Sequence, residues 1–221
     1  RAAPAPARRR GLMLGNLFAS GRSQAVSTIP LFPLRTVLFP GGLLPLKVFE
    51  QRYVEMTKRC MKEGVPFGVV MITSGEEVAT QADAPAFANF GTLATITAWD
   101  MPQLGILHVA TEGLTRFQVR EHRVQADRLV VADVVDIPTE PRVPLPAEAE
   151  PLARLLELIA ARVGPQNFPA VHDYGDASWV GYRLAELLPL PLSIKQSMLE
   201  INDAGVRLQV LQKFLHQQRL L

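Results

Sequence analysis

A single cysteine, Cys60, stands in 221 residues, so no disulfide within the chain and no multi-cysteine metal site can form. That usage fits a reducing compartment, and a cytoplasmic location is expected. There is little net charge, formally +2, and it is unevenly placed. Residues 1–26 hold Arg1, Arg8, Arg9, Arg10 and Arg22 without an acid, which leaves −3 on the rest of the chain. A nucleic-acid binder concentrates Lys and Arg on its folded surface, where they release phosphate counterions, so no nucleic-acid partner is expected. The sequence also lacks an uncharged apolar run of the ~18 residues that would span a bilayer, and no membrane association is expected.

Catalytic signatures are equally scarce. No G-x-x-x-x-G-K-[ST] loop is present, so the usual cradle of backbone amides and lysine for ATP is missing. The nearest approach to a nucleophile elbow, Gly21-Arg-Ser-Gln-Ala25, lacks the second glycine and falls in the arginine-rich tail. The four histidines, His108, His122, His172 and His216, read as strand, turn, loop and terminal helix, without metal-ligand spacing. Glu76-Glu77 and Glu148, Glu150 lie in turn or linker composition and read as solvated charge. Cys60 falls on an apolar helical stripe, where cysteine acts as a small core residue. These absences predict no catalytic residue, no metal and no cofactor.

What is present is apolar substance, 48% of residues, and 18 prolines placed as punctuation. Residues 1–26, rich in Arg, Pro and Ala, carry no apolar periodicity and are expected to stay outside the fold as a disordered tail. Residues 27–140 form a first unit. In it, Ile29–Leu34 and Val37–Leu46 are broken by Pro30, Pro33, Pro40 and Pro45, so short strands and sharp turns are expected there, with Gly41-Gly42 as one reversal. Phe49, Tyr53, Met56 and Cys60 recur at helical spacing, with Gly64 placed to cap the end.

Beyond them, Phe67–Ile72, Gly91–Trp99, Ile106–Thr111, Leu114–Arg120 and Leu129–Val135 read as β-strands. Turn signals separate them at Ser74-Gly75, Met101-Pro102, Glu112-Gly113 and His122-Arg123. Phe117 and Val119 alternate with Arg116, Gln118 and Arg120, as on a strand with one wet face. A small, closed antiparallel barrel is the economical arrangement. After the proline-rich joint 138–146, residues 141–221 show four helical patterns. Asp176 caps one, and Ser193 with Gln196 forms a capping-box signature for another. The expected fold class is α+β, a β-barrel followed by a helical bundle.

The stretch Ile29-Pro-Leu-Phe-Pro-Leu-Arg-Thr-Val-Leu-Phe-Pro-Gly-Gly-Leu-Leu-Pro-Leu-Lys-Val-Phe-Glu-Gln-Arg-Tyr53 resembles the opening signature of the Lon amino-terminal domain, with Gln51 where that family typically has proline. Gly91-Thr-Leu-Ala-Thr-Ile96, Gly113-Leu-Thr-Arg-Phe117 and Tyr182–Glu200 follow in the family's order. The resemblance spans residues 28 to about 215 and implies a PUA-like barrel followed by a helical bundle. In it, Pro30, Pro33, Pro40 and Pro45 would fix turns and suppress edge pairing. Gly41 and Gly42 would permit a tight reversal, Glu50 and Arg52 would tie the helix start to the barrel, Tyr53 would belong to the same scaffold, and Gly113 would turn a hairpin before Arg116-Phe117. Full-length Lon proteases continue into ATPase and serine-lysine protease modules. Neither motif set occurs before Leu221, so a stand-alone, non-catalytic recognition module is expected, with polypeptide substrates or partner proteins as its ligands. The oligomeric state is left open.

The candidate binding surface is the hairpin Trp99-Asp-Met-Pro-Gln-Leu104, because exposing Trp99, Met101 and Leu104 around a turn is costly unless they are used. The alternative for that hairpin is packing against the helical half. The alternative for the molecule is an enzyme or hydrolase accessory with a site at the junction of barrel and bundle, near His172, Asp173 and Tyr174.

Overall fold

Proline placement organises the first strand. In the computed structural model, which describes residues 25–75 and 85–218, β1 (Val26–Leu34) carries Pro30 and Pro33 and still lies between two other strands. It changes partner midway. Val26–Leu31 pair with β6 (Val130–Asp136), and Leu31–Leu34 pair with β3 (Phe67–Ser74). Each proline therefore falls where β1 has a strand on one side, and its missing N–H can face the other. Neither residue sits at a turn, contrary to the expectation. Pro40 does, in the reversal where the Gly42 N–H donates to the Phe39 carbonyl at 2.9 Å and Gly41 adopts φ 67°. Pro45 lies in β2 (Leu43–Val48), an edge strand.

The sheet has six strands in the order β2-β5-β4-β3-β1-β6, with β4 at Ala86–Gln103 and β5 at Ile106–Val124. It is mixed rather than antiparallel, because β1 and β3 run parallel. The chain between them contains β2 and helix α1 (Gln51–Glu63), long enough to return to the same end of the sheet. β6 pairs with β1 on one side and with the distal half of β5 on the other, which completes a hydrogen-bonded circuit of five strands. Helix α1 ends at Gly64 in the left-handed conformation, its N–H donating to the Cys60 carbonyl. Phe49 precedes the helix and is exposed instead of joining its apolar stripe. Tyr53, Met56 and Cys60 of that stripe are buried, and Tyr53 stacks on Phe32 with ring centroids 4.0 Å apart.

Three turn expectations give way to two long strands. Glu112-Gly113 and His122-Arg123 lie inside the 19-residue β5, and Met101-Pro102 inside β4. Gln103 pairs with Ile106 around Leu104-Gly105, and the chain turns again at Gln125–Arg128, where Arg128 takes φ 68°. Gly113 is required by closeness, not by a turn. A Cβ there would stand 2.2 Å from the Phe39 carbonyl oxygen, and Gly113 exchanges two backbone hydrogen bonds with Gly41 and Gly42.

Four helices follow: α2 (Glu150–Val163), α3 (Ala177–Leu187), α4 (Leu192–Glu200) and α5 (Ala204–Gln217). Asp176 caps α3, accepting from the Trp179 N–H. Ser193 caps nothing, because α4 starts one residue earlier after Pro191 and Gln196 turns inward to donate to the Phe90 carbonyl and to Glu200. Leu152, Leu156, Val180, Leu184, Leu208, Leu211 and Leu215 form the helical core, and Val37, Phe39 and Met71 from the sheet half are embedded in it. The arginine-rich tail apart from Ala25 and Val26, the Gly21–Ala25 motif apart from Ala25, and Glu76-Glu77 lie outside the described residues.

Candidate partner-binding surface

The β4–β5 hairpin extends beyond β3, with β2 alongside β5. β3 pairs with β4 only as far as Phe67↔Ala94, whereas β4 continues against β5 to Gln103. On this extension Trp99 is 61% exposed and Leu104, at the turn, 93%. Met101 is half-buried against the sheet core that contains Leu107 and Val109. The hairpin therefore does not pack its Trp99 against the helical half, and the three expected residues share one arm of the molecule.

Register sorts the faces of this arm, since directly opposed residues point the same way. Trp99 faces Val109, which faces Leu46; the adjacent rows are Ala98, Ala110, Pro45 and Asp100, His108, Lys47. These residues line a shallow groove of about 450 Å³. Two alanines and a proline make its floor low because they carry little side chain. A second hollow of about 180 Å³ runs from Lys47 and Phe49 to Phe32 and Tyr53, with Phe49 exposed at its rim. Arg52 secures that corner: it pairs with Glu50 at 2.9 Å and donates to the Arg128 carbonyl at 3.0 Å, holding the left-handed turn between β5 and β6.

The junction between sheet and helices is built differently. Glu140, from the stretch read as a linker, receives both terminal nitrogens of Arg207, an Arg116 nitrogen at 3.2 Å, and the hydroxyls of Ser178 and Tyr182. Burial pushes its carboxyl up, but the hydrogen bonds from Arg207, Ser178 and Tyr182 outweigh that and hold it below the usual glutamate value. Burial also raises the Tyr182 phenol. Arg116 further donates to the Leu199 and Ile201 carbonyls, and Arg207 to those of Met198 and Ile201. Arg116 is thus buried and faces the helices, not the wet side of β5. Phe117 beside it is fully buried in the sheet.

A second ionic seam joins α3 to β2. Arg183, fully buried, donates to the Pro40 and Gly41 carbonyls and pairs with Glu186 at 3.2 Å. Glu186 in turn accepts from the Leu43 N–H.

A pocket of about 250 Å³ opens here between Leu114, Pro138, Glu140, Trp179 and Tyr182. A carboxylate has about four acceptor sites, and the four hydrogen bonds from Arg207, Ser178 and Tyr182 occupy them, so Glu140 is a poor proton acceptor. His172, Asp173 and Tyr174 do not line this pocket. Asp173 is held by Arg142 through two hydrogen bonds of 2.9 Å, and His172 and Tyr174 stand edge-on to each other beside Trp179. His122 lies in β5, edge-on to Phe87, and His108 on the groove. Among the described residues no group of three or more His, Cys, Asp or Glu could hold a metal ion, and no helix is long and apolar enough to cross a membrane.

Sequence reasoning missed Glu140, Arg183, Glu186 and Arg207. Arg183 and Arg207 were detectable in principle, because each interrupts an apolar helical face, next to Val180 and Leu211 respectively. Glu140 sits among prolines and left no such sign.

A mixed six-stranded sheet followed by helices is a fold this chain shares with solved Lon amino-terminal domains. A solved Lon N-terminal domain protein from Xanthomonas campestris matches with a TM-score of 0.69 and 34% identity, over 85% of this chain and 98% of that one. The N-terminal domain of a Mycobacterium avium complex Lon protease shares the fold, with a TM-score of 0.57, 16% identity, 84% of this chain and 96% of that one. The chain belongs to the ATP-dependent protease La (LON) substrate-binding domain family, whose model matches residues 28–217. The Lon protease of Brevibacillus choshinensis is 25% identical over 90% of this chain, which spans 26% of that relative's length. The protein cereblon of Xenopus tropicalis is 34% identical over 50% of this chain and 24% of its own length.

Proposed function

We propose that this chain is a polypeptide-recognition module that works without catalysis of its own, binding apolar segments of substrate or partner proteins on the β4–β5 arm. The observation that carries the reading is the exposure of Trp99 and Leu104 on the arm that carries the groove, in a chain whose family is described as substrate-binding. Large apolar side chains gathered on one exposed arm mark interaction surfaces, and Trp is among the residues that dominate binding energy once desolvated. The engagement of Glu140 supports the non-catalytic part, and the net −3 outside residues 1–26 supports a protein rather than a nucleic-acid ligand.

We read the closed pairing circuit as a PUA-like barrel, with residues 27–140 and 141–221 as barrel and bundle subdomains, and the cytoplasm as the place of action. Polypeptide arrays probed with the full chain test the function. Binding to apolar segments, weakened about tenfold or more by Trp99→Ala or Leu104→Ala, is expected. An array without bound peptides overturns the function, and binding indifferent to both substitutions overturns the site.

A further inference from the structure

The two free edges flanking the arm are built differently. β2 is an edge strand, pairing among the described residues with β5 alone, and its outer side is blunted. Pro45 has no N–H to offer, the Leu43 N–H is taken by the Glu186 carboxylate, and Lys47 adds a charge. These are the ordinary devices by which proteins keep an edge from pairing with another chain. The outer side of β4 beyond Ala94 is blunted toward its far end, where Asp100 accepts from the Met101 N–H at 2.8 Å and Pro102 has no N–H. Among the described residues no strand pairs with it from Thr95 to Gln103, it holds no Lys or Arg, and its one proline, Pro102, comes near the end. Ala98, Trp99 and Asp100 keep regular register with Ala110, Val109 and His108 between two irregularities, so the middle of the edge is straight ladder.

Resting on the recognition reading above, we propose that the outer edge of β4 at Thr95–Gln103 receives an extended polypeptide segment as an added β-strand, with a basic residue of that segment beside Asp100. An edge of alternating backbone donors and acceptors is satisfied in full by another extended backbone. Side-chain rows set the sequence preference. Lys47, His108 and Asp100 form one row across β2, β5 and β4, and the next position in that row belongs to the incoming strand. A Lys or Arg there meets the only charged side chain in Thr95–Gln103, and opposite charges side by side favour pairing. Trp99, one residue earlier and on the other face, meets an apolar or aromatic neighbour.

The experiment uses the full chain and synthetic peptides of about six residues, an ordinary strand length, alternating Val or Thr with Lys or Glu at one position. Hydrogen exchange is expected to slow about tenfold or more at amides between Thr95 and Trp99 when the Lys peptide binds. N-methylation of peptide amides in one alternating register is expected to abolish binding while the other register tolerates it. Asp100→Lys is expected to reverse the preference from the Lys to the Glu peptide. Peptides that bind in a Trp99-dependent way without slowing these amides, and tolerate both methylation registers, overturn the added strand and leave the recognition reading standing. Absence of any peptide binding removes both. Protection that appears without peptide and rises with protein concentration alongside a dimer mass assigns the edge to a second copy and overturns the proposal.

Discussion

At the scale of single residues, the strongest commitments of this chain are charges placed where solvent cannot reach them. Arg116 and Arg207 converge on Glu140, and the guanidinium of Arg207 lies 3.9 Å from the Tyr182 ring centroid. Removing one partner of a buried ion pair strands the others, so Glu140→Gln should cost about 3–5 kcal/mol in urea unfolding. The same group sets an acid limit. Its folded carboxyl titrates below the unfolded one, so its stabilisation is complete above an unfolded value of about 4.3 and is lost as pH falls through the lower folded value. The wild-type midpoint should therefore drop steeply below about pH 4, and that of Glu140→Gln should drop less; equal slopes would assign acid sensitivity elsewhere. Gly113 is a second intolerant residue. Gly113→Ala forces a methyl against the Phe39 carbonyl, for an expected loss of about 1–3 kcal/mol.

At the scale of elements, capping separates two helices that look equally well marked in sequence. Asp176 accepts from the Trp179 N–H with one oxygen and from the Val143 N–H with the other, so Asp176→Ala should lower stability by about 1–2 kcal/mol. Ser193, the other sequence-level cap, holds no cap position, and Ser193→Ala should stay within about 0.5 kcal/mol. Thermal midpoints of the two variants distinguish the cases, and equal losses would restore the capping box. The helices themselves were legible because an amphipathic stripe is a local signal: Leu152 and Leu156, Val180 and Leu184, and Leu208, Leu211 and Leu215 are core, as their spacing implies. Strand ends were not. Glycine and proline mark turns only where the chain is free to turn, and at Gly113 and Pro102 they serve a close approach and an exposed strand end instead. The parallel pairing of β1 with β3 was likewise beyond reach, since alternation gives a face and not a neighbour.

At the scale of the whole molecule, the sheet and the helices share a core and two ionic seams, Glu140 with its arginines and Arg183 with Glu186. Unfolding should therefore be a single event. The chain's two tryptophans report the two halves, Trp99 on the hairpin and Trp179 on α3. Single-tryptophan variants made by replacement with Phe should show coincident urea transitions, and separated midpoints would mean that the halves fold independently. The sequence by itself determined which segments are strands and helices, where the apolar faces lie, and, through the Ile29–Tyr53 signature, the family. Periodicity and motif are properties of neighbouring residues, and they survive without a fold. Only the tertiary structure decided that Arg116 points inward, that Glu140 is a junction and not a linker charge, that Pro30 and Pro33 occupy the one-sided halves of a shared strand, and that Trp99 stands in the open. Each of these depends on which distant backbone arrives opposite a residue, and that is set by the packing of the whole chain and not by the residues on either side.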